Sequence, residues 1–451
     1  MRRAALVILC VLAVSRTVRA DEVTDWITYM FEVARIADPT TTPPTVATSP
    51  LNMTRNTAIV TASMYDAVNG IERRYTSVCR APACVLPDAP RGASQRAAAV
   101  QAAYASLVRL YSARAATLVT LAAHRDASLA AIASDEAVEH SVSIARGIAF
   151  GQAVADAIWA WRSTDGFTPP PPPFTGSTDP GKWRPTPPAF APGAGPQFAY
   201  MTPWVIESPS QFRPAGPPAL FSVDYYKDVN ETKMLGRKPA PFPANPPHDG
   251  PIFRAQFWAS ASNNYLWNSA ALRLTVEKHL TLSENARLFA LLNVAIADAA
   301  IACWEAKYHY VFWRPISAIT LDPDPTVRDP AWVSAIPMPA HPEYPSGHST
   351  ASGAAAGILE AFFGDLPITI DSDGSSQAGA GPESQPMAGK TKDYTSVSAA
   401  LQDVKEARVD GGIHFRTACN HGAQTGGHVA AYVVANAFLP VNGNHTGQTG
   451  K

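Results

Sequence analysis

The pattern of apolar and polar residues predicts an all-α protein. Apolar side chains recur at the spacing of a helix that buries one face, while alternation at every second residue, the mark of a strand, is almost absent. The sequence contains no internal repeat. The helical pattern covers residues 26–36, 52–69, 93–121, 129–161, 266–276, 284–312, 349–363, 397–409 and 421–437.

Prolines interrupt this pattern in the middle of the chain, where they cluster in residues 169–173 and 185–188. Proline lacks the amide donor and fixes φ, so these stretches cannot be helical. A Pro-rich stretch can be a disordered spacer. Here Trp183, Phe190, Phe198 and Trp204 are interleaved with the prolines, so we expect an ordered strap over the core. Residues 371–392, rich in Gly, Ser and Gln, are predicted to form a mobile loop.

The N-terminus has the pattern of a secretory signal peptide. Arg2 and Arg3 precede the apolar residues 4–14, and Val18-Arg19-Ala20 forms a small-residue cleavage site. The apolar stretch is too short to span a bilayer, and no later run reaches the length of a spanning helix. We therefore expect secretion and no membrane span. The predicted units are the signal peptide (1–20), an N-terminal helical bundle (21–166), the strap (167–250), a C-terminal helical bundle (251–440) and a tail (441–451).

Cysteine usage and composition agree with export and narrow the function. Cys79 and Cys84 bracket the loop Arg-Ala-Pro-Ala, which suits a disulfide in an oxidising compartment. Asn52, Asn230 and Asn444 lie in glycosylation sequons.

With 451 residues, 46% of them hydrophobic, the chain can bury a large core. Its formal net charge of -1 provides no basic field, so we expect no nucleic-acid partner. The sequence does not indicate the oligomeric state.

Basic residues at the end of one predicted helix are the first candidates for a functional site. Lys307 and Arg314 are seven residues apart, two helical turns, so both side chains project from one face. Pro315 favours an extended conformation for Arg314 and ends the helix. Alternatively, both long side chains reach out to water from the helix end.

Pro345-Ser346-Gly347-His348 precedes a second helix. Serine can cap the helix, glycine allows a ligand to approach the backbone, and the free amides of a helix start bind anions. An ordinary capped helix would explain the proline and the serine but would give His348 no role. Arg408 and His414 flank Val-Asp-Gly-Gly-Ile, a turn that could bring both onto one ligand. A C-terminal helix cap explains these glycines equally well but does not explain His414.

Taken together, three permanent cations, a helix start and two histidines are what a pocket for a tetrahedral oxyanion needs. A zinc site is the alternative, because histidines recur every seven residues at positions 414, 421 and 428. No Cys or carboxylate accompanies them at metal-ligand spacing, so incidental histidines on a helix face are favoured.

The three motifs, Lys-x6-Arg-Pro, Pro-Ser-Gly-His and Arg-x3-Gly-x-His, resemble the signature shared by the vanadium-dependent haloperoxidases and the type 2 phosphatidic acid phosphatase superfamily. Trp304, the segment His341-Pro342-Glu343-Tyr344 and the strap segment 183–188 resemble the soluble haloperoxidase branch. The resemblance extends from about residue 26 to residue 439 and is specific, because all three separated motifs occur in order.

The resemblance implies two four-helix bundles, with vanadate held in the second. It implies that vanadate oxygens are bound by Lys307, Arg314, Ser346, Gly347 and Arg408. It further implies that His414 is the axial ligand of vanadium, that His348 is the acid–base group, and that Lys307 also assists catalysis. The expected reaction is the oxidation of bromide or iodide by hydrogen peroxide to hypohalous acid, with the halide preference set by Trp304 and His341.

Two other functions stay open at this point. One is a soluble acid phosphatase that uses the same pocket, with a phosphohistidine on His414 and His348 as the proton donor. The other is an inactive binding relative. It is motivated by Ala418 and Ser260-Ala261, which stand where relatives commonly have acidic residues. Asp298 and Asp410 are possible substitutes for a missing carboxylate that orients a histidine.

Overall fold

The computed structural model describes residues 21–36, 48–135, 137–376, 379 and 381–441. The predicted signal peptide and the sequon at Asn444 lie outside the described residues. The all-α prediction is confirmed. The helices are α1 (Glu22–Arg35), α2 (Pro50–Glu72), α3 (Gln95–Leu110), α4 (Ala115–Ala133), α5 (Ser141–Arg162), α6 (Val223–Leu235), α7 (Pro251–Ala259), α8 (Asn263–Glu277), α9 (Leu282–Tyr310), α10 (Pro315–Leu321), α11 (Gly347–Phe363), α12 (Val397–Asp410) and α13 (Arg416–Asn436), with a 3₁₀ helix at Pro196–Tyr200.

Several helix boundaries differ from the prediction. The Ala-rich region 93–161, predicted as two helices, forms three, and the break after α3 comes where Arg114 Nη1 donates to the carbonyl of Ile36, 3.0 Å away. Such a tertiary contact leaves no trace in the hydrophobic period. The helices α6, α7 and α10 are absent from the predicted set. Pro251 and Pro315 open α7 and α10, a position where proline is tolerated.

The helices pack in two groups that share one core. In the N-terminal half, α2, α3 and α5 pack together, with α1 and α4 against α3; in the C-terminal half, α11 packs against α9, α12 and α13. Because α2 also packs on α9, one cluster of buried apolar side chains runs from Val23 to Phe438. The division of the chain into domains therefore stays a prediction.

The helix α9 lies at the centre of this arrangement. It is the one helix in the described part of the chain that is long and apolar enough to cross a membrane, by length and composition alone. Of its most apolar window, 94% is buried inside the protein. A core helix has this property, since it is apolar on every side.

The Pro-rich segment forms the predicted ordered strap, which crosses the C-terminal end of α9. The amide of Trp183 donates to the carbonyl of Val311 (2.8 Å), and that of Ala194 donates to the carbonyl of Ala340 (2.7 Å). Trp183 is fully buried, whereas Phe190 is 61% exposed. The strap thus fixes the loops that follow α9, and it leaves Phe190, Tyr200 and Phe221 exposed on the surface.

Residues 371–392, predicted to be a mobile loop, are tied together at both ends. The strand β1 (Ile368–Asp371) pairs antiparallel with β2 (Thr391–Tyr394), and the amide of Ser372 donates to the carbonyl of Lys390 (2.9 Å). Both strands are four residues long, too short for period-two alternation to be recognised. The structure also contains the Cys79–Cys84 disulfide predicted from the sequence, and the buried Asp66 accepts hydrogen bonds from the amides of Val78 and Cys79.

Glycines allow α11 and α13 to approach closely. A Cβ atom at Gly426 would lie 2.0 Å from the carbonyl oxygen of Thr350, and one at Gly353 would lie 2.2 Å from that of Ala423. These distances leave no room for any side chain. Gly427, next to Gly426 on the same helix, has nothing within 4 Å of its Cβ position.

We therefore expect opposite results from two neighbouring substitutions. Gly426→Ala should lower the free energy of unfolding by about 1–3 kcal/mol, because the backbones of α11 and α13 would have to separate. Gly427→Ala, the matched control, should raise it by up to about 1 kcal/mol, because alanine is the better helix former. Urea unfolding of both variants measures the difference. Equal stability of the two would contradict the close approach.

Candidate active site

The first of the predicted site residues, Lys307 and Arg314, lie at and just after the C-terminal end of α9. Val311 adopts the left-handed conformation (φ 53°) and Arg314 is extended, so the chain turns sharply between Lys307 and α10. Neither the Lys307 nor the Arg314 side chain is exposed to solvent. The alternative that these side chains reach out to water is therefore wrong.

The Lys307 ammonium group holds the segment before α11 in place. Its Nζ donates to the carbonyls of Pro342 (2.8 Å), Glu343 (3.0 Å) and Pro345 (2.5 Å). Burial lowers the pKa of Lys307 to about 7. Since an ammonium group has three protons, these carbonyls already engage its donors, and the ammonium group orients this loop as well as adding charge to the site.

Arg314 connects two distant parts of the chain. Its Nε donates to the carbonyl of His341 (2.8 Å), while Nη1 donates to the carbonyl of Ile413 (2.8 Å) and to Nε2 of His414 (3.2 Å). Burial lowers its pKa to about 9. A guanidinium group in contact with an imidazole nitrogen shows that this nitrogen offers a lone pair.

The start of α11 supplies the predicted backbone donors. Ser346 caps the helix, and its own amide donates to the carbonyl of Ala418 (3.0 Å). A Cβ at Gly347 would lie 3.2 Å from the Trp304 ring, so the backbone passes close to the cavity wall. The first amides of a helix have no partner within the helix and favour an anion.

The turn between α12 and α13 brings Arg408 and His414 to the same cavity. Gly412 has a φ of 71°, and a Cβ there would lie 2.2 Å from the carbonyl oxygen of Gly236. The turn therefore requires glycine for both conformation and space. Arg408 is 2% exposed, and its Nε and Nη1 atoms have no hydrogen-bond partner among the described residues. Buried donors of this kind are normally satisfied, so these two point to a ligand.

Glu343 orients His414 and was missed as a functional residue in the sequence. Its Oε1 accepts hydrogen bonds from Nδ1 of His414 (2.9 Å) and from the amide of Phe415 (3.0 Å). Burial and the neighbouring cations Arg314 and Lys307 keep the pKa of His414 well below its ordinary value. His414 is thus neutral, with its proton on Nδ1 and the lone pair of Nε2 directed at Arg314. A carboxylate in an otherwise apolar segment, three residues before Ser346, was the available signal.

The two substitutes proposed for the missing carboxylate have other roles. Asp298 accepts hydrogen bonds from the amides of Trp204 (2.7 Å), Val205 (2.8 Å) and Ile206 (3.0 Å), which anchors the strap. Asp410 forms an ion pair with Arg254 (2.7 Å). The prediction that either residue orients a site histidine is wrong, because both carboxylates are committed to structural partners.

His348 also lines the cavity. Burial is the main reason that its pKa lies well below the ordinary value; Arg408, Lys307 and Arg314 lower it further, and a hydrogen bond with the Trp258 backbone opposes them. Asn263 Nδ2 donates to the carbonyl of His348 (3.3 Å). A neutral imidazole in this position can accept a proton.

The predicted halide-tuning residues touch each other at the cavity wall. The Trp304 and His341 ring centroids are 5.1 Å apart, and Trp304 Nε1 donates to the carbonyl of Ala194 in the strap (3.0 Å). The cavity has a volume of about 560 Å³. Trp304, His341, Gly347, His348, Arg408 and His414 all line it. Lys307, Arg314 and Ser346 are not among the lining residues, but Arg314 contacts His414, which is.

The residues around the cavity fit an oxyanion. Lys307, Arg314 and Arg408 are buried cations, and burial lowers the pKa of Arg408 to about 10. Glu343 is the acidic group hydrogen-bonded into this cluster; burial raises its pKa, and the Phe415 amide, Lys307 and Arg314 lower it. One acidic group cannot neutralise three basic ones. An anion in the cavity would offset this charge and accept the unpartnered donors of Arg408.

The zinc alternative is not supported. His421 Nδ1 is 2.5 Å from the hydroxyl oxygen of Tyr344, and the His428 ring lies against Phe212 with centroids 6.1 Å apart. Within the described parts of the chain, no three His, Cys, Asp or Glu side chains come close enough together to hold a metal ion. His414 is therefore not joined by the other two histidines.

Two comparisons of the sequence with known proteins found matches over parts of the chain. Residues 287–443 match the family model "VCPO second helical-bundle domain". Vanadium chloroperoxidase of Curvularia inaequalis is 34% identical over a segment covering 24% of this chain and 22% of that protein. The match thus spans about a fifth of the length of this curated relative.

Solved structures extend the similarity to most of the chain. The crystal structure of a bacterial vanadium-dependent iodoperoxidase has 25% sequence identity and a TM-score of 0.74, covering 93% of this chain and 96% of that one. A bacterial vanadium-dependent chloroperoxidase has 16% identity and a TM-score of 0.64, covering 86% and 94% of the two chains; it shares the fold. The resemblance predicted from the motifs is confirmed.

Proposed function

We propose that this relative of the vanadium haloperoxidases binds vanadate in the cavity and uses it to oxidise bromide or iodide with hydrogen peroxide. One observation carries the proposal. Arg408, whose Nε and Nη1 have no hydrogen-bond partner among the described residues, and His414, which has a lone pair on Nε2, line the same buried, positively charged cavity. Bound vanadate supplies a Lewis acid that polarises hydrogen peroxide, so that a halide can attack a peroxide oxygen and leave as hypohalous acid.

The chain's own residues bind and orient the reactants. Arg408, Lys307 and Arg314 would compensate the charge of the oxyanion, and Ser346 with the amide of Gly347 would bind its oxygens. His414 would donate its Nε2 lone pair to the metal, because Glu343 fixes the proton on Nδ1. His348 would take up and return the proton of the peroxide.

The proposed preference for bromide or iodide rests on two residues of the cavity wall. The contact between Trp304 and His341 places a polarisable ring and a neutral imidazole beside the site. One of the similar solved structures is an iodoperoxidase. Both observations favour the larger, more easily oxidised halides.

A phosphatase is the second candidate, and one observation favours it. A neutral His414, with Nδ1 held by a carboxylate and a lone pair on Nε2, is also the arrangement of a histidine nucleophile that forms a phosphohistidine. Phosphate and vanadate have the same shape and similar charge. By contrast, Glu343 weakens the case for an inactive relative, because it supplies the carboxylate whose loss motivated that hypothesis.

An assay of the purified protein separates these functions. We expect bromination of a phenol-type dye that requires both orthovanadate and peroxide and is absent when either is omitted. Hydrolysis of a phosphate monoester without vanadate, inhibited when vanadate is added, would instead establish the phosphatase. If a folded protein showed neither of these activities, that result would establish the third function, an inactive relative.

We also propose that the protein is secreted. The signal-peptide pattern of residues 1–20 supports this proposal, as does the Cys79–Cys84 disulfide, since disulfides persist in oxidising compartments. N-terminal sequencing of the protein recovered from the producing cells should begin at Asp21. An intracellular protein that starts at Met1 would contradict secretion.

A further inference from the structure

A second groove, separate from the active-site cavity, lies on the other side of Pro337 and Met338. These two residues line both spaces. The groove has a volume of about 830 Å³ and is lined by side chains of the strap and of the loop before α11, among them Phe190 and Trp332. A compound bound in this groove would be separated by Pro337 and Met338 from the active-site cavity, where the proposed oxidant is formed.

Phe190 is in a conformation that packing does not explain. Its φ is 47°, in the left-handed region that a bulky L-residue rarely adopts. Its amide donates to the carbonyl of Thr186 (3.0 Å), while the side chain is 61% exposed. Strained residues persist where the surroundings enforce them, often at binding sites. Here the strain holds an aromatic ring at the rim of the groove.

The rim of the groove carries uncompensated positive charge. Lys238 forms an ion pair with Glu383 (3.0 Å). Arg184 and Arg328 form no ion pair within the described ranges. Arg184 Nη2 donates to the carbonyls of Thr178 (2.6 Å) and Asp179 (2.9 Å), while its buried Nε has no hydrogen-bond partner there. Two cations beside an apolar, aromatic surface are complementary to a ligand that combines an aromatic ring with a negative charge.

We propose that this groove binds aromatic anions, such as aryl carboxylates or phenolates, as acceptors for the halogen. Binding itself requires no vanadate; the use of the bound compound rests on the proposed function. Hypohalous acid that leaves the cavity would meet the bound ring. A carbon–halogen bond then forms as the halogen–oxygen bond breaks, the ring carbon is oxidised by two electrons, the halogen is reduced, and the ring proton leaves with hydroxide as water.

Calorimetric titration of the full-length protein with 2-naphthoate tests the proposal without halide or peroxide. We expect saturable binding that is about tenfold weaker in Phe190→Gly and in Arg328→Ala, the loss of one aromatic or charge contact. Glycine accepts the backbone conformation at position 190, so the first variant should remain folded. Tyr200→Ala, which removes a 77% exposed ring elsewhere, is the control and should bind normally.

The outcomes are decisive in either direction. The neutral 2-naphthamide should bind at least several-fold more weakly than 2-naphthoate. Equal binding of the two compounds, or unchanged binding in both groove variants, would overturn the proposal. Absent naphthoate binding in a protein that still brominates a simple dye would refute the groove alone. Intact naphthoate binding in a protein without peroxidase activity would refute the proposed function alone.

Discussion

Replacing His414 with alanine is expected to abolish retention of vanadate, whereas replacing His348 with alanine should leave binding largely intact and reduce turnover. His414 Nε2 is the neutral nitrogen whose lone pair accepts from Arg314 Nη1, 3.2 Å away, at the cavity. Loss of a residue that merely orients a metal ligand costs 10–100-fold in affinity, so loss of the ligand itself should cost more than about 100-fold. Loss of a general acid–base group lowers the rate by about 10²–10⁴-fold.

Metal analysis after gel filtration and single-turnover rates measure the two effects separately. His428→Ala is the matched control, because His428 lies on the exposed face of α13 outside the cavity; both its vanadate content and its rate should equal those of the unchanged protein. Equal loss of vanadate in His414→Ala and His348→Ala would contradict this division of roles. Phosphate binding by His414→Ala should persist, because Arg408 and the start of α11 remain.

The sequence predicted the local structure around the candidate site residues well because the local signals are strong. Pro345-Ser346-Gly347 starts α11 for the reasons read from the sequence, and the glycines after Arg408 form the turn that positions His414. The basic residues were assigned to one site through the resemblance of the three motifs, because from local pattern alone Lys307 and Arg314 could equally have reached out to water. Each of these inferences depends on neighbouring residues in the chain.

The features that the sequence did not reveal depend on contacts between distant segments. Glu343 and His414 are 71 residues apart, and nothing local pairs them. The donors of Lys307 are engaged by backbone carbonyls, which carry no side-chain signal. Asp298 was a reasonable candidate by composition, yet the strap captures its carboxylate. Hydrophobic periodicity locates buried faces, but it does not tell which polar groups meet between them.

The substitution Glu343→Gln is expected to weaken vanadate binding by about 10–100-fold while leaving phosphate binding unchanged or tighter. Two effects of opposite sign operate. The carboxylate fixes the His414 proton on Nδ1 and raises the basicity of Nε2, which matters for coordination to a metal. It also offsets part of the charge of Lys307 and Arg314, so its removal makes the cavity more attractive to any anion.

Comparing the two oxyanions separates these effects, because phosphate gains from charge alone and vanadate also needs the His414 lone pair. Calorimetric titration of both anions, without peroxide or halide, gives the two affinities independently of activity. Asp410→Asn is the matched control, since its carboxylate pairs with Arg254 away from the cavity and both affinities should be unchanged. If vanadate and phosphate affinity rose together in Glu343→Gln, charge would outweigh orientation, and Glu343 would not be a positioning residue.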